Sequence, residues 1–265
     1  MSAFAAGSDL HACAQIVQRG DPDRFLAVMS APVAARRVLF PIYAFNLEVA
    51  RAPWVTQEPM IAEMRLQWWR DALEEIGQGG PVRKHEVTTP LADVLDAEGA
   101  AVLDRLVQAR RWDIYTDPFE DAQHFAEYLS ATGGGLMWAA VRALGGAWES
   151  PDPEIGADTA PRLFGAATAL VRFLQAVPEL EARGRVPLVD GRPGALAALA
   201  RDALSEIPPE MVLRRCLEPQ ARPALLEGWQ THPLLKQIAR APGRVAEGRV
   251  GLSPFRKRLR LLRWS

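Results

Sequence analysis

Three pairs of acidic residues have the spacing that places two carboxylates on one face of a helix. The members of each pair are four positions apart: Asp71 and Glu75, Asp117 and Asp121, and Asp202 and Glu206. Such pairs can supply oxygen ligands to a hard cation such as Mg²⁺. However, the first pair has arginine beside it and no second pair to face it, the second straddles a proline, and the third lies in a late amphipathic segment. We therefore expect the first and third pairs to lie on solvated helix faces.

Histidine and cysteine residues are scattered along the chain rather than clustered. The residues concerned are His11, His85, His124, His232, Cys13 and Cys216. The sequence has no C-x-x-C pair, no H-E-x-x-H, no G-x-S-x-G and no phosphate-binding loop. It therefore predicts neither a zinc site nor a disulfide framework, and a reducing compartment fits best. We interpret each histidine as a surface or hydrogen-bonded side chain.

The composition is that of an ordinary globular protein. Of the 265 residues, 49% are hydrophobic and 24% are charged, and the formal net charge is -1. This length and composition predict one large hydrophobic core and hence a single domain over residues 1–265. Nucleic-acid binding needs a concentrated basic face, which a near-neutral chain does not suggest, so we expect no nucleic-acid partner.

The first residues, MSAFAAGSDLHACAQ, lack the basic region and the long apolar run of a secretory signal. No stretch approaches the roughly 18 uninterrupted apolar residues of a membrane-spanning helix. We therefore expect a cytoplasmic protein whose contact with a membrane is peripheral, on the inner face.

The elements that must position any site are helices, since signals for β-strands are nearly absent. Caps, prolines and apolar periodicity predict a helix after Asp21-Pro22, one from about 32 towards 53, one over 59–77, one opening at 89, one around 102–109, a long pair over 121–144 and 161–182, and helices over 195–207, 209–217 and 223–239. The Gly/Pro-rich segment GGAWESPDPEIGAD separates the long pair. The sequence thus predicts an all-α fold.

Three consecutive glycines, Gly133 to Gly135, interrupt the first of the two long helices. Each costs about 1 kcal/mol relative to alanine inside a helix, so something is expected to approach the backbone closely. Tight packing against another helix and contact with a ligand both remain open.

Five segments in order carry a resemblance to a known family. They are RRVLFPIYAFNLEVAR at 36–51, RLQWWRDAL at 65–73, EYLSATGGGLMWAAVRALGG at 127–146, GAATALVRFLQAVPELEARGRVPL at 165–188, and SPFRKRLRLL at 253–262. Together they resemble the squalene/phytoene synthases. The resemblance implies a helical bundle of the isoprenoid (terpenoid) synthase type with a central cavity. It also implies a reaction in which Mg²⁺, held by two D-x-x-x-D helices, assists ionisation of a prenyl diphosphate.

The family's acidic pairs are missing where the resemblance places them. Its first pair falls on Ala50 and Trp54, and its second on Ala176 and Leu180, with only Glu179 nearby. We therefore expect no catalytic residue, no metal ligand and no cofactor. The N-L-E-V-A pattern also resembles an offshoot of the family, the assembly factors for respiratory complex I. That resemblance implies a non-catalytic assembly or scaffold protein, with a respiratory-complex subunit as a partner.

Polar residues left on the expected cavity helices are the candidates for binding a ligand. They are Tyr43, Asn46, Glu48, Gln67, Arg70, Arg172, Gln175, Arg183 and Arg185. The last two could meet an anionic head group, or could interact only with a helix dipole. The adjacent Trp68 and Trp69 are expected to pack in the core rather than form a cofactor site, because adjacent aromatic residues do not share one helical face, and exposure of one of them for a partner remains open.

The segment 253–265 is a basic amphipathic tail. Arg256, Lys257, Arg258, Arg260 and Arg263 alternate there with Phe255, Leu259, Leu261, Leu262 and Trp264. Such a mixture suits an anionic membrane surface, and a short final helix with solvated arginines is the competing interpretation.

Two further functions stay open beside the scaffold. One is an active trans-prenyl transferase condensing farnesyl or geranylgeranyl diphosphate, with Mg²⁺ in an atypical site. The other is a module that binds an isoprenoid or other lipid without catalysis.

Overall fold

The computed structural model describes residues 4–146, 159–215 and 217–264, and these ranges contain helices and no β-strand element. The α-helices are α1 (Asp9–Gly20), α2 (Pro22–Ser30), α3 (Val33–Arg51), α4 (Pro59–Gly77), α5 (Thr88–Ala92), α6 (Ala97–Ala109), α7 (Ala122–Leu129), α8 (Gly135–Ala143), α9 (Thr159–Ala182), α10 (Pro193–Glu206), α11 (Glu210–Arg215), α12 (Thr231–Arg240) and α13 (Pro254–Trp264). The predicted all-α fold is confirmed. Residues 147–158 of the predicted Gly/Pro-rich connection and Cys216 lie outside the described residues.

At the start of several of these helices, the N-cap side chain accepts a hydrogen bond from a backbone N–H of the first turn. Asp21 accepts from the Arg24 amide at 2.9 Å, and Asp121 accepts from the His124 amide at 2.8 Å. A carboxylate in this position satisfies a donor that has no partner inside the helix. The predicted Asp21-Pro22 start and the predicted span of α4 are confirmed.

Two parts of the chain differ from the sequence expectation. α1 lies in a segment where no helix was predicted. The predicted helix over 223–239 is instead a 3-10 helix, Arg222–Gly228, followed by α12. A continuous helix over 223–239 would place Pro233 in its interior, where proline removes a backbone hydrogen bond, and Pro233 instead lies in the first turn of α12. A Cβ on Gly228 would lie 2.5 Å from the Phe164 ring, so glycine permits the close approach to α9 there.

The three glycines allow two helices to pack backbone to backbone. α7 and α8 are joined by a π-helical turn, Ser130–Gly134, so the helix predicted over 121–144 is continuous apart from this turn. A Cβ on Gly133 would lie 2.4 Å from the Gly165 carbonyl oxygen, and a Cβ on Gly134 would lie 2.8 Å from the Arg162 carbonyl oxygen. Tight helix packing, one of the two expectations, therefore explains these glycines.

The hydrophobic core includes residues from Leu10 in α1 to Trp264 in α13. α9 runs through it, and α9 is the one described helix with the length and composition to cross a membrane. That feature was not expected, since no long uninterrupted apolar run was seen. However, 56% of its most apolar window is buried against the rest of the protein, which is typical of a core helix.

Cys13 belongs to this core. Its thiol donates to the Glu86 carbonyl oxygen at 3.3 Å, and burial raises the pKa of the thiol to about 12. A thiol with so high a pKa is a poor nucleophile and metal ligand at neutral pH.

Candidate functional site

A cavity of about 210 Å³ lies between α3, α9 and the glycine-bearing helix formed by α7 and α8. Apolar side chains form much of its wall, including Leu129, Leu136 and Phe173. The charged and polar residues on the wall are Arg24, Asn46, Arg110, Asp113, Tyr128, Thr132, Arg172 and Glu227. An apolar pocket with a few polar groups is the usual form of a small-molecule site, although this one is smaller than most.

The four positions that the resemblance assigns to metal ligands all lie on this wall. Ala50 is at the end of α3 and Trp54 is in the 3-10 turn that follows, while Ala176 and Leu180 are one turn apart on α9. Two helical segments therefore face each other across the cavity, as the resemblance implies. Neither segment presents a carboxylate at these positions.

A buried network of ions occupies one part of the site. Arg24 donates to Glu227 at 2.5 Å, and these side chains are only 3% and 4% exposed. Asp21 pairs with both Arg24, at 3.4 Å, and Arg172. Burial raises the pKa of Asp21, but the guanidiniums of Arg172 and Arg24 outweigh burial and hold the pKa of this carboxyl below its ordinary value. Asp21 is therefore ionised, and Arg24 and Arg172 neutralise its charge.

A second network lies on another part of the wall. Arg110 donates to Asp113 at 3.0 Å and to the Tyr128 hydroxyl at 2.6 Å, and that hydroxyl donates to Asp113 at 3.0 Å. Burial raises the pKa of Tyr128 far above its ordinary value. Tyr128 is thus a neutral hydrogen-bond donor, and both carboxylate oxygens of Asp113 already accept hydrogen bonds from Arg110 or Tyr128.

Trp54 lies between the cavity and the solvent, with its side chain 38% exposed. The Arg183 guanidinium lies 4.7 Å from the centre of the Trp54 ring, and that of Arg185 lies 5.7 Å away. Arg185 is buried, donates to the Asp113 and Trp112 carbonyl oxygens, and stacks on the Trp112 ring at 4.0 Å. Both arginines that were candidates for an anionic head group are thus engaged with the protein itself.

Of the candidate ligand-binding residues, the structure brings Asn46 and Arg172 to the cavity wall. Tyr43 lies just behind them, buried, with the Arg24 guanidinium 5.0 Å from its ring centre. The Tyr43 hydroxyl and Asn46 Oδ1 have no hydrogen-bond partner among the described residues.

The other candidates lie away from the cavity. Three of them form ion pairs: Glu48 with Arg51 at 3.3 Å, Arg70 with Asp104 at 2.8 Å, and Arg183 with Glu179 at 2.6 Å. The other two donate hydrogen bonds: Gln67 to Asp71 at 2.7 Å, and Gln175 to the Val250 carbonyl oxygen at 3.0 Å. These contacts are structural. These residues do not line this cavity, and a role for any of them in binding a ligand stays a prediction.

Trp68 and Trp69 line a second cleft. Trp69 is buried as expected, but its ring meets that of Trp68 edge-on at 4.9 Å, and both rings contact His85. The side chains of adjacent residues thus converge on one cleft, lined also by Glu48 and Arg65.

The cavity residues that sequence reasoning missed are mainly ionic. Arg24, Arg110, Asp113, Tyr128 and Glu227 come from four different segments, since Arg110 and Asp113 share one 3-10 turn. The capping motif Asp21-Pro22 was recognised, and its next turn holds Arg24, which was a usable signal. Nothing in the sequence connects Arg24 with Glu227, 203 positions later.

The residues present do not fit a magnesium cluster. Both carboxylates on the wall are held by arginine, and the described part of the chain has no group of three or more His, Cys, Asp or Glu side chains placed to hold a metal ion. Magnesium prefers several oxygen ligands that carry net negative charge. The described wall therefore offers no set of ligands for a magnesium-assisted reaction.

Comparison with known proteins agrees with this architecture. The family model for squalene/phytoene synthase matches residues 17–189, well over half of the chain. The chain belongs to the squalene/phytoene synthase family.

Two solved structures show the same fold as this family member. A dehydrosqualene synthase in complex with ligand has a TM-score of 0.74 and 16% sequence identity, over 97% of this chain and 95% of that one. Squalene synthase HpnC from Alicyclobacillus acidocaldarius has a TM-score of 0.67 and 16% identity, over 88% of this chain and 93% of that one. At this identity the likeness establishes the fold alone. The predicted isoprenoid synthase fold is confirmed.

Several relatives of this chain are named as assembly factors of complex I. The Drosophila melanogaster homolog of NADH dehydrogenase (ubiquinone) complex I, assembly factor 6, is 29% identical over 184 residues, which are 67% of this chain and 53% of that protein. The Homo sapiens assembly factor 6 is 24% identical over 194 residues, covering 69% and 53%. The chain spans about half the length of the curated relatives it matches. The predicted likeness to complex I assembly factors is confirmed.

Proposed function

We propose that this chain is a non-catalytic member of the squalene/phytoene synthase family that serves as an assembly or scaffold protein for respiratory complex I. The observation that carries the proposal is the position of Ala50, Trp54, Ala176 and Leu180 on the wall of one cavity. The resemblance expects oxygen ligands at these four positions, and none of the four side chains has an oxygen atom.

The electrostatics of the cavity support the same proposal. Three positive charges are balanced by three negative charges on its wall and directly behind it, carried by Arg24, Arg110 and Arg172 and by Asp21, Asp113 and Glu227. A departing diphosphate needs divalent cations or an excess of positive charge to stabilise it. A balanced set of ion pairs supplies neither.

The relatives support the choice of partner. The names of the relatives from fly and human refer to assembly of complex I, and this chain matches about half of each. We propose a subunit or assembly intermediate of respiratory complex I as the partner, no resident cofactor, and a cytoplasmic location on the inner face of the membrane. Residues 1–265 then act as one domain.

The catalytic part of the proposal is tested with the pure full-length protein. Farnesyl or geranylgeranyl diphosphate is added with and without Mg²⁺, and pyrophosphate release is measured beside an active squalene synthase. We expect no release above the protein-free rate. Release that depends on Mg²⁺ would instead establish the alternative, an active trans-prenyl transferase with an atypical metal site.

The assembly part is tested in cells that lack the gene. We expect membranes of these cells to contain less assembled complex I on native gels, with restoration by the wild-type chain. Normal levels of the assembled complex in the deletion strain would contradict the proposal. A pull-down from native membranes with the tagged chain then identifies the subunit.

Isoprenoid binding without catalysis is a second candidate, favoured by one observation. The cavity joins an apolar wall to polar atoms that have no partner among the described residues, Asn46 Oδ1 and Glu227 Oε2. Ligands that bind the folded state raise its melting temperature. Stabilisation by a prenyl diphosphate or prenyl alcohol that is independent of Mg²⁺ would support this candidate, and no stabilisation would leave the scaffold role alone.

A further inference from the structure

α13 has one face that packs on the protein. Lys257 donates to Asp23 at 2.5 Å, Arg260 pairs with Glu210, and the Trp264 indole N–H donates to Glu210 at 2.9 Å. Trp264 is buried in the hydrophobic core. Two of the five basic residues in the tail are therefore neutralised internally and cannot also bind an external partner.

The opposite face of α13 presents an exposed apolar stripe. Phe255 is 74% exposed, Leu259 is 39% exposed and Leu262 is 75% exposed. With about 100° between successive residues of a helix, these three side chains project within an arc of about 60°. Exposed apolar side chains that lie together on one face of a helix are typical of an interaction surface.

Arginines border the stripe on both sides. By the same helical geometry, Arg258 lies on one side of it, and Arg256 and Arg263 lie on the other. All three side chains are in exposed positions, and no acidic residue occurs from position 250 to 264. A shallow groove continues this surface onto α11, where the exposed Met211 lies beside Arg214.

We propose that this outer face of α13 binds an anionic lipid bilayer, with the helix lying in the plane of the membrane surface. The choice of occupant rests on charge and shape. An apolar stripe between two rows of arginine allows the stripe to enter the acyl boundary while the guanidiniums reach lipid phosphates. The chain as a whole has a net charge of -1, so the attraction comes from this local face.

The inference deepens the proposed peripheral location by naming the surface and the lipid chemistry. It can be tested separately from the assembly role, because vesicle binding requires no respiratory subunit. The full-length protein is sedimented with phosphatidylcholine vesicles, with and without phosphatidylglycerol. We expect binding to the anionic vesicles only, weakening as salt is raised.

Two sets of substitutions separate the contributions of charge and apolar stripe. In one, Arg256, Arg258 and Arg263 are changed to Gln, and in the other, Phe255→Ser is combined with Leu262→Ser. Each basic residue near an anionic surface strengthens binding by about fivefold, so the first set should weaken binding roughly a hundredfold. The second set should abolish sedimentation. Circular dichroism and Tm should stay near wild type, because the inner face is unchanged.

Matched controls change arginines and exposed apolar residues on other helices. Arg105, Arg201 and Arg240, in exposed positions on other helices, are changed to Gln, and Met60→Ser is combined with Met64→Ser on α4. We expect both control proteins to bind as the wild type does. The proposal is overturned if the wild type fails to sediment with anionic vesicles, if it binds neutral vesicles equally, or if the controls weaken binding as much as the α13 variants.

Discussion

Removal of one member of the buried Arg24–Glu227 pair should destabilise the protein strongly. Glu227→Gln keeps the shape of the side chain but leaves the Arg24 guanidinium with Asp21, which Arg172 also needs. Both partners are almost fully buried, so water cannot replace the lost carboxylate charge. Breaking a buried pair in this way costs about 3–5 kcal/mol. We expect a value near 3 kcal/mol, because Asp21 still provides part of the compensating charge.

The companion experiment replaces both charges. Arg24→Met with Glu227→Leu leaves a neutral, apolar contact and releases Asp21 to pair with Arg172 alone. Buried ion pairs are often no more stable than well-packed apolar residues of similar size. The double variant should therefore regain most of the stability lost in either single variant and fall within about 2 kcal/mol of wild type.

The assay is equilibrium unfolding in urea, with thermal unfolding as a second measurement. For a chain of this length a loss of 1 kcal/mol lowers Tm by about 2 °C, so Glu227→Gln should lower Tm by about 6 °C. A loss below about 1 kcal/mol would show that the pair is hydrated. If the double variant instead loses the sum of the two single losses, charge compensation is not what stabilises this site.

Three further outcomes follow from particular contacts. Gly133→Ala should lower the free energy of unfolding in urea by more than about 2 kcal/mol, because the new Cβ would clash with the Gly165 backbone. Gly194→Ala, which has open space around it, should be neutral or slightly stabilising, and equal effects of the two substitutions would refute the packing argument. The pKa of the Asp21 carboxyl is depressed in the folded state, so its stabilising contribution should be complete above the unfolded pKa of about 3.9 and shrink as the pH falls below it. If the free energies of unfolding of wild type and Asp21→Asn differ by the same amount at neutral and acidic pH, this expectation is contradicted. Tyr128→Phe should cost about 1–2 kcal/mol by chemical unfolding, because the hydroxyl bonds both Arg110 and Asp113, and a neutral effect would mean that water replaces it.

The helices could be predicted because their signals are local. The start of α2 rests on Asp21 and the proline after it, and the span of α4 rests on apolar periodicity between a proline and a glycine. α1 could have been predicted on the same grounds, because Ser8 is a favoured N-cap residue and the buried Leu10, Cys13, Ile16 and Val17 recur at helical spacing. The split of 223–239 could also have been predicted locally, because Pro233 lacks the backbone N–H that the interior of a continuous helix would need.

Part of the site could have been predicted more sharply from helical geometry alone. Asn46 and Ala50 are four residues apart on α3 and share the cavity face, whereas Glu48 lies about 200° from Asn46 and must point elsewhere. Likewise Arg172 and Ala176 share a face of α9, and Gln175 falls about 100° away from Ala176. The structure follows this geometry, since Gln175 donates to the Val250 carbonyl oxygen instead.

A cavity whose buried carboxylates are not held by metal ions needs other partners for these charges. In this chain each carboxylate on the wall has its own arginine: Glu227 has Arg24, and Asp113 has Arg110. The Arg24–Glu227 pair connects α2 to the 3-10 helix Arg222–Gly228, and Asp21 connects α2 to α9 through its pair with Arg172, whereas Arg110 and Asp113 lie in one 3-10 turn. These contacts need no divalent cation, which agrees with Ala, Trp, Ala and Leu at the four positions where the resemblance expects metal ligands.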